Sequence, residues 1–82
     1  MTTIARAWEA FIVAVGEAQD LCRSGGATAT IADLLQHARE LLEIIEDEIA
    51  LNGLSVPTEV RGGLEHLRAQ LAAVERGLVA RH

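Results

Sequence analysis

One spacing recurs three times along the chain. Ile31, Leu35, Ala38, Leu42, Ile45 and Ile49 follow one another at intervals of four, three, four, three and four. That rhythm keeps six side chains on one stripe of an α-helix. Ile4, Trp8, Phe11, Val15, Ala18 and Cys22 repeat it upstream, and Val60, Leu64, Leu67, Leu71, Val74 and Leu78 repeat it downstream. The pattern predicts three helices, at about 3–22, 30–52 and 57–79. The segment 31–51 is the cleanest of them, and the other two read as packed around it. Leu34 and Leu41 widen its stripe on one flank, as expected of a helix facing two neighbours. Ile12 and Leu21 are read as widening the first stripe.

The breaks between the stripes carry their own signals. Thr30 with Asp33 resembles a capping box at the start of the second helix. Asn52-Gly53 reads as its stop, with Gly53 in the left-handed region and Leu54 packing back on the last turn. Ser24-Gly25-Gly26-Ala27-Thr28 is a flexible turn, within a connection of about six to eight residues. It lacks the Lys-Ser/Thr of a phosphate-binding loop and any preceding strand. Pro57 keeps the third helix from starting before about Val56, because the residue ahead of a proline is pushed out of the α region. Ser55 or Val56 is the expected cap, and a connection of about four residues precedes the helix. Gly62-Gly63 weakens that helix's first turns, by roughly 0.8–1.0 kcal/mol per glycine against alanine. The pair allows either a close approach of backbones or a helix start that flexes. Gly77 suggests fraying from Leu78 to His82.

Short connections between long helices imply an antiparallel arrangement in a single all-α domain over 1–82. Two forms satisfy the pattern: a closed three-helix bundle, or an open helical pair plus a third helix completed by a second chain. Apolar residues left off the stripes (Val13, Ile44, Leu51 and Val79) tilt the reading toward the second form, and so toward a homodimer. At ~100° per residue, Ile44 and Leu51 fall nearly opposite the core stripe, on a face shared with His37, Glu40 and Asp47. Two large aliphatics on a charged face give a monomer nothing. They read either as scattered surface apolars, which are common, or as a contact stripe, with His37 in line, for a second copy or a partner, and the second reading is preferred. Val13 and Gly16 leave a small smooth patch on the polar face of the first helix. Trp8 with Phe11 reads first as a core pair. Trp8 as an anchor in a partner's pocket is the alternative, so the candidate interface is His37, Ile44, Leu51, Val13 and Trp8.

Composition sharpens this in three ways. Half of the 82 residues are hydrophobic, yet Trp8 and Phe11 are the only aromatics, so the core is aliphatic. A chain of this size buries a modest share of its surface, and association is a natural added source of stability. Six of the twelve acids fall between Ile31 and Asn52 against one arginine, while the net charge of the whole is −5. That balance disfavours direct nucleic-acid binding, which rests on cations meeting phosphates. The acids around Glu40, Glu43, Glu46, Asp47 and Glu48 point round much of the helix, as a solvated face does. They could also attract an arginine-rich partner. The longest apolar run, Ala10 to Val15, falls far short of the ~20 residues that span a bilayer, and no secretory leader is visible. With the single cysteine, Cys22, these features suggest a cytoplasmic protein with no membrane association.

Candidate chemistry is sparse. Ser24 and Ser55 sit in turns without a neighbouring His/Asp arrangement, and Cys22 lies on the apolar stripe as a small hydrophobe. His37, His66 and His82 are dispersed, and Glu65-His66 lacks a matching ligand pair. No enzyme activity, cofactor or metal is expected. A helix, the Gly25-Gly26 break, a long Ile/Leu/Glu helix and the run Leu51-Asn52-Gly53-Leu54-Ser55-Val56-Pro57 together resemble quorum-sensing antiactivators of the TraM type. The resemblance covers about half the chain. It implies a small helical regulator that binds a LuxR-type transcriptional regulator and blocks its DNA binding. Trp8 in the first helix, a Gly-containing turn and an acidic second helix also look like the secretion and flagellar export chaperones, which would imply a client helix as partner. A self-assembling structural subunit is the remaining reading.

Overall fold

The computed structural model describes residues 3–53 and 56–80, and they form three helices: α1 (Thr3–Ser24), α2 (Thr28–Asn52) and α3 (Thr58–Ala80). Helices of 22, 25 and 23 residues rise about 33–37 Å at ~1.5 Å per residue. The molecule measures 41 × 20 × 16 Å, so all three lie along one axis. Arg39 of α2 pairs with Glu75 of α3, and Glu46 of α2 pairs with Arg68 of α3. One heptad forward in α2 is therefore one heptad back in α3, which makes the two antiparallel.

Each stripe becomes core. Phe11, Val15 and Ala18 of α1, Ile31, Ala38 and Ile45 of α2, and Val60, Leu71 and Val74 of α3 are all buried. Leu64 and Leu67 join them, while Leu42, Ile49, Cys22 and Leu78 pack on the cluster partly covered. The chain thus closes its own three-helix core, and α3 is built into it rather than waiting for a second chain. The hub is α1, not the cleaner pattern of α2. Helix α1 packs most extensively on α2 and less on α3, and α2 meets α3 least. That two-sided role accounts for its being apolar nearly all round. The flank that widens its stripe is Ala7 and Ala14, both buried, whereas Ile12 is 43 % exposed.

The first connection is tighter than its composition suggests. Only residues 25–27 separate α1 from α2. Gly25 takes φ +78°, the left-handed conformation, and the Gly26 N–H donates to the Leu21 carbonyl at 2.7 Å. This is a Schellman close, in which the second residue past the cap reaches back to the last turn. A Cβ on Gly26 would also be crowded, standing 3.0 Å from Leu21 Cβ and 3.2 Å from the Leu21 carbonyl oxygen. Helix α2 starts a turn before the expected Thr30 cap. Ala27 is the cap residue without a side-chain hydrogen bond, and its carbonyl accepts from the Ile31 N–H at 3.1 Å. At the other end Gly53 is right-handed, at φ −50° and ψ −38°, so the helix runs out through it rather than reversing. Leu54 and Ser55 lie outside the described residues, and so do the packing and capping roles expected of them. Pro57 caps α3 from one position ahead of it, its carbonyl accepting from Val60 and Arg61 N–H at 3.1 and 3.2 Å. Helix α3 continues past Gly77 without a break to Ala80, and Arg81 and His82 are not described.

Candidate interaction surface

An open groove of about 490 Å³ runs between α1 and α2. Its floor is Ala10, Val13 and Ala14 of α1 with Leu34 of α2, and Arg6, Glu9, Glu17 and His37 stand around it. Positions 10, 13, 14 and 17 share one side of α1 because they lie three and four apart. Ala14 is buried, so the two helices approach closely there, but Val13 keeps 55 % of its surface exposed. Val13 and His37 stand at nearly equal distances along the chain from the Gly25-Gly26 turn. Neighbours across an antiparallel hairpin must do so. The tight turn thus brings the smooth patch of the first helix beside the outer stripe of the second.

That stripe continues along α2. Ile44 follows His37 by seven residues and Leu51 follows Ile44 by seven, each step turning the side chain only about 20°. Ile44 is 45 % exposed and Leu51 79 %. With Asp33, Glu40 and Asp47 between them, the row reads Asp33, His37, Glu40, Ile44, Asp47, Leu51, the same four-three alternation as a core seam but turned outward. All six are exposed. The row meets the groove at His37 and runs on from there along the exposed face of α2, with Ile44 and Leu51 as its aliphatic side chains.

Trp8 does not belong to that row. It is partly buried on the core, 6.2 Å from Phe11 between ring centroids and tilted by 49°. On its far side it meets α3, where a Cβ on Gly63 would come within 2.9 Å of Trp8 Cζ2. Gly63 is therefore the close approach, while a Cβ on Gly62 would meet nothing within 4 Å. Of the five interface candidates, Val13 and His37 meet at the groove, Ile44 and Leu51 follow His37 along the exposed face of α2, and Trp8 is partly buried between Phe11 and Gly63. Ala10, Ala14 and Leu34, which complete the groove, were not among the candidates. The signal that would have found them is the three-four spacing of Ala7, Ala10 and Ala14 beside the main stripe of α1.

The opposite edge has another character. Across the α2/α3 seam lie the two Arg–Glu pairs, with Glu65 also 3.7 Å from Arg68. Small grooves there take in Leu35, Leu78 and Val79, the last 73 % exposed. His66 accepts a hydrogen bond from Gln70 at 2.9 Å on the exposed side of α3, and His82 is not described. Among the described residues no three His, Cys, Asp or Glu side chains converge on a point that could hold a metal ion. No described helix is long and apolar enough to cross a membrane. The chain matches no protein-family model, no curated protein and no solved structure.

Proposed function

We propose that this chain is a non-catalytic interaction module, and that it binds another protein through the α1/α2 edge. The observation that carries the reading is the outward row of His37, Ile44 and Leu51, which meets at His37 an open apolar groove holding the exposed Val13, in a chain whose core is already closed without them. Exposed aliphatics in a line along a groove do nothing for a monomer's stability. They become useful when a second apolar face covers them. The floor of alanine, valine and leucine suits the ridge of another helix, the recurring mode in which an amphipathic helix lies in a groove.

The finer form of the proposal is a regulator that binds and inhibits or sequesters a larger protein, with a transcriptional regulator as the target. That form rests on the sequence resemblance to the antiactivators. The test is capture from native extract by immobilised wild-type chain, set beside the variants Val13→Glu and Ile44→Glu. The captured protein is then purified and titrated against all three by calorimetry. Binding by wild type and its loss in both variants, with helicity retained by circular dichroism, is the expected result. Equal binding by all three would remove this edge as the contact surface. A captured transcription factor supports the regulator, and a filament or effector subunit moves the reading to an export chaperone.

A further inference from the structure

The charges around the groove identify the chemistry of its occupant. Glu9 and Glu17 stand on the α1 side, and Asp33, Glu40 and Asp47 punctuate the outward row of α2. All five are exposed, and none forms an ion pair among the described residues. On the same edge the cation is Arg6. The arginines that could have balanced these acids are spent elsewhere: Arg39 and Arg68 are turned to the α2/α3 seam, and Arg23 lies 3.8 Å from Asp20. The molecule thus carries unpaired carboxylates along the apolar strip, while two carboxylate–guanidinium pairs cross the α2/α3 seam.

We infer that the α1/α2 edge docks an amphipathic helix of a partner protein, about four turns long, whose apolar stripe is flanked by lysine and arginine. This rests on the interaction reading above and adds the partner's chemistry to it. The length follows from the row itself. His37 to Leu51 spans fourteen residues, about 21 Å at ~1.5 Å per residue. The charge follows from complementarity, since cations along the partner's flanks would meet Glu9 and Glu17 on one side of the strip and Glu40 and Asp47 on the other. A second copy of this chain is a poor occupant. A two-fold interface sets each patch against itself, so acidic rim would face acidic rim. The chain's own arginine-bearing helix, α3, cannot serve as the ligand of a neighbour either, because its apolar stripe is already buried in the core.

The probes are three synthetic sixteen-residue helical peptides titrated against the full chain by fluorescence anisotropy. The first carries a leucine stripe with Lys/Arg flanks, the second the same stripe with Glu flanks, and the third Lys/Arg flanks around an alanine stripe. The expected result is binding of the first, with the second and third each weaker by roughly tenfold or more, since several exposed charge pairs or the buried stripe would be lost. Ile44→Glu abolishes binding of the first peptide. The triple variant Glu9→Gln, Glu17→Gln, Glu40→Gln narrows the gap between the first and second. Equal affinity for the first and second peptides, equal affinity for the first and third, or no binding of the first would each overturn the inference. So would a sedimenting wild-type dimer that Ile44→Glu dissociates, because a second copy would then fill the groove. These failures stay distinct from failure of the interaction reading. If Ile44→Glu abolishes capture of the natural partner while the first two peptides bind alike, only the partner's charge is wrong. If Ile44→Glu leaves capture intact, the surface itself is wrong.

Discussion

The two seams that α2 makes are closed by different physics. Against α1 it packs most extensively, across a three-residue turn, and Ala14, Ala18, Ala38 and Ile31 are among the buried residues of the two helices. Against α3 it meets least, the connection is longer, and two Arg–Glu pairs lie across the gap. Small residues let helix backbones approach, so the first seam is held by dispersion and burial. In the second, Arg39 and Arg68 reach glutamates of the facing helix while their side chains stay partly in water. The first should therefore dominate stability, and the second should set register more than it adds energy.

The largest test of that difference is truncation on either side of it. Phe11 is wholly buried at the centre of α1, where α2 and α3 both pack. Phe11→Ala should cost about 3–5 kcal/mol. For a domain of this size that is a large share of a stability on the order of 4–12 kcal/mol. Leu42, half-buried on the face of α2 that carries Arg39 and Glu46, should cost only about 1–2 kcal/mol as Leu42→Ala, in proportion to its covered area. Urea denaturation followed by circular dichroism measures both. Equal losses would mean that the α2/α3 seam carries as much burial as the other.

The next effect separates two adjacent glycines. At Gly62 a methyl group meets nothing, so Gly62→Ala should stabilise α3 by up to ~1 kcal/mol through helix propensity. At Gly63 the same methyl group would press on the Trp8 ring, and the gain is set against displacing that ring. Gly63→Ala should come out about 1–3 kcal/mol less stable than Gly62→Ala. Trp8 is the single tryptophan, so its emission reports the displacement directly: it should shift in Gly63→Ala and stay put in Gly62→Ala. Identical stabilities and spectra in the two variants would remove the Trp8–Gly63 contact as the joint between α1 and α3.

What could be read from sequence divides along the same line. The three core stripes were legible because large aliphatics at a fixed period leave one solution for the buried face. All six positions of the α3 stripe lie on or against the core. On the flank of α1 the pattern points to Ile12, whereas the structure buries Ala7 and Ala14. Alanine carries little hydropathic weight, and a single helix does not say on which side its neighbour will lie. The glycines misled in both directions. Gly53 passed for a left-handed stop and is right-handed, while Gly25-Gly26 passed for a flexible turn and is a tight hydrogen-bonded one. The groove follows from that turn. The exposed row of α2 and the Val13 patch were each visible alone, but their union depends on hairpin register, and register depends on a turn three residues long rather than six to eight. The turn itself is testable. A Cβ at φ +78° costs about 1–2 kcal/mol. Gly25→Ala should therefore lower stability by that amount, with helicity unchanged at 25 °C, whereas a turn that is only flexible would tolerate alanine.

The smallest effect asks most of the comparison. Arg68 meets Glu46 across the α2/α3 seam with both side chains about 40 % exposed, and Arg39 meets Glu75 with the arginine more exposed still. Pairs so open to water are screened and are held at an entropic cost. A double-mutant cycle on Arg68→Ala and Glu46→Ala should return a coupling of about 0.2–1 kcal/mol, falling further in 1 M salt. The single variants alone would not isolate that figure, because Arg68 also lies 3.7 Å from Glu65. A coupling well above ~1 kcal/mol would mean that the seam is drier than its exposure indicates. The matched charges would then be holding α3 in place, and not merely choosing where along α2 it lies. A small coupling would leave α3 held chiefly by α1, through Trp8 and the buried stripe, with the guanidinium groups aligning an interface that burial has already closed.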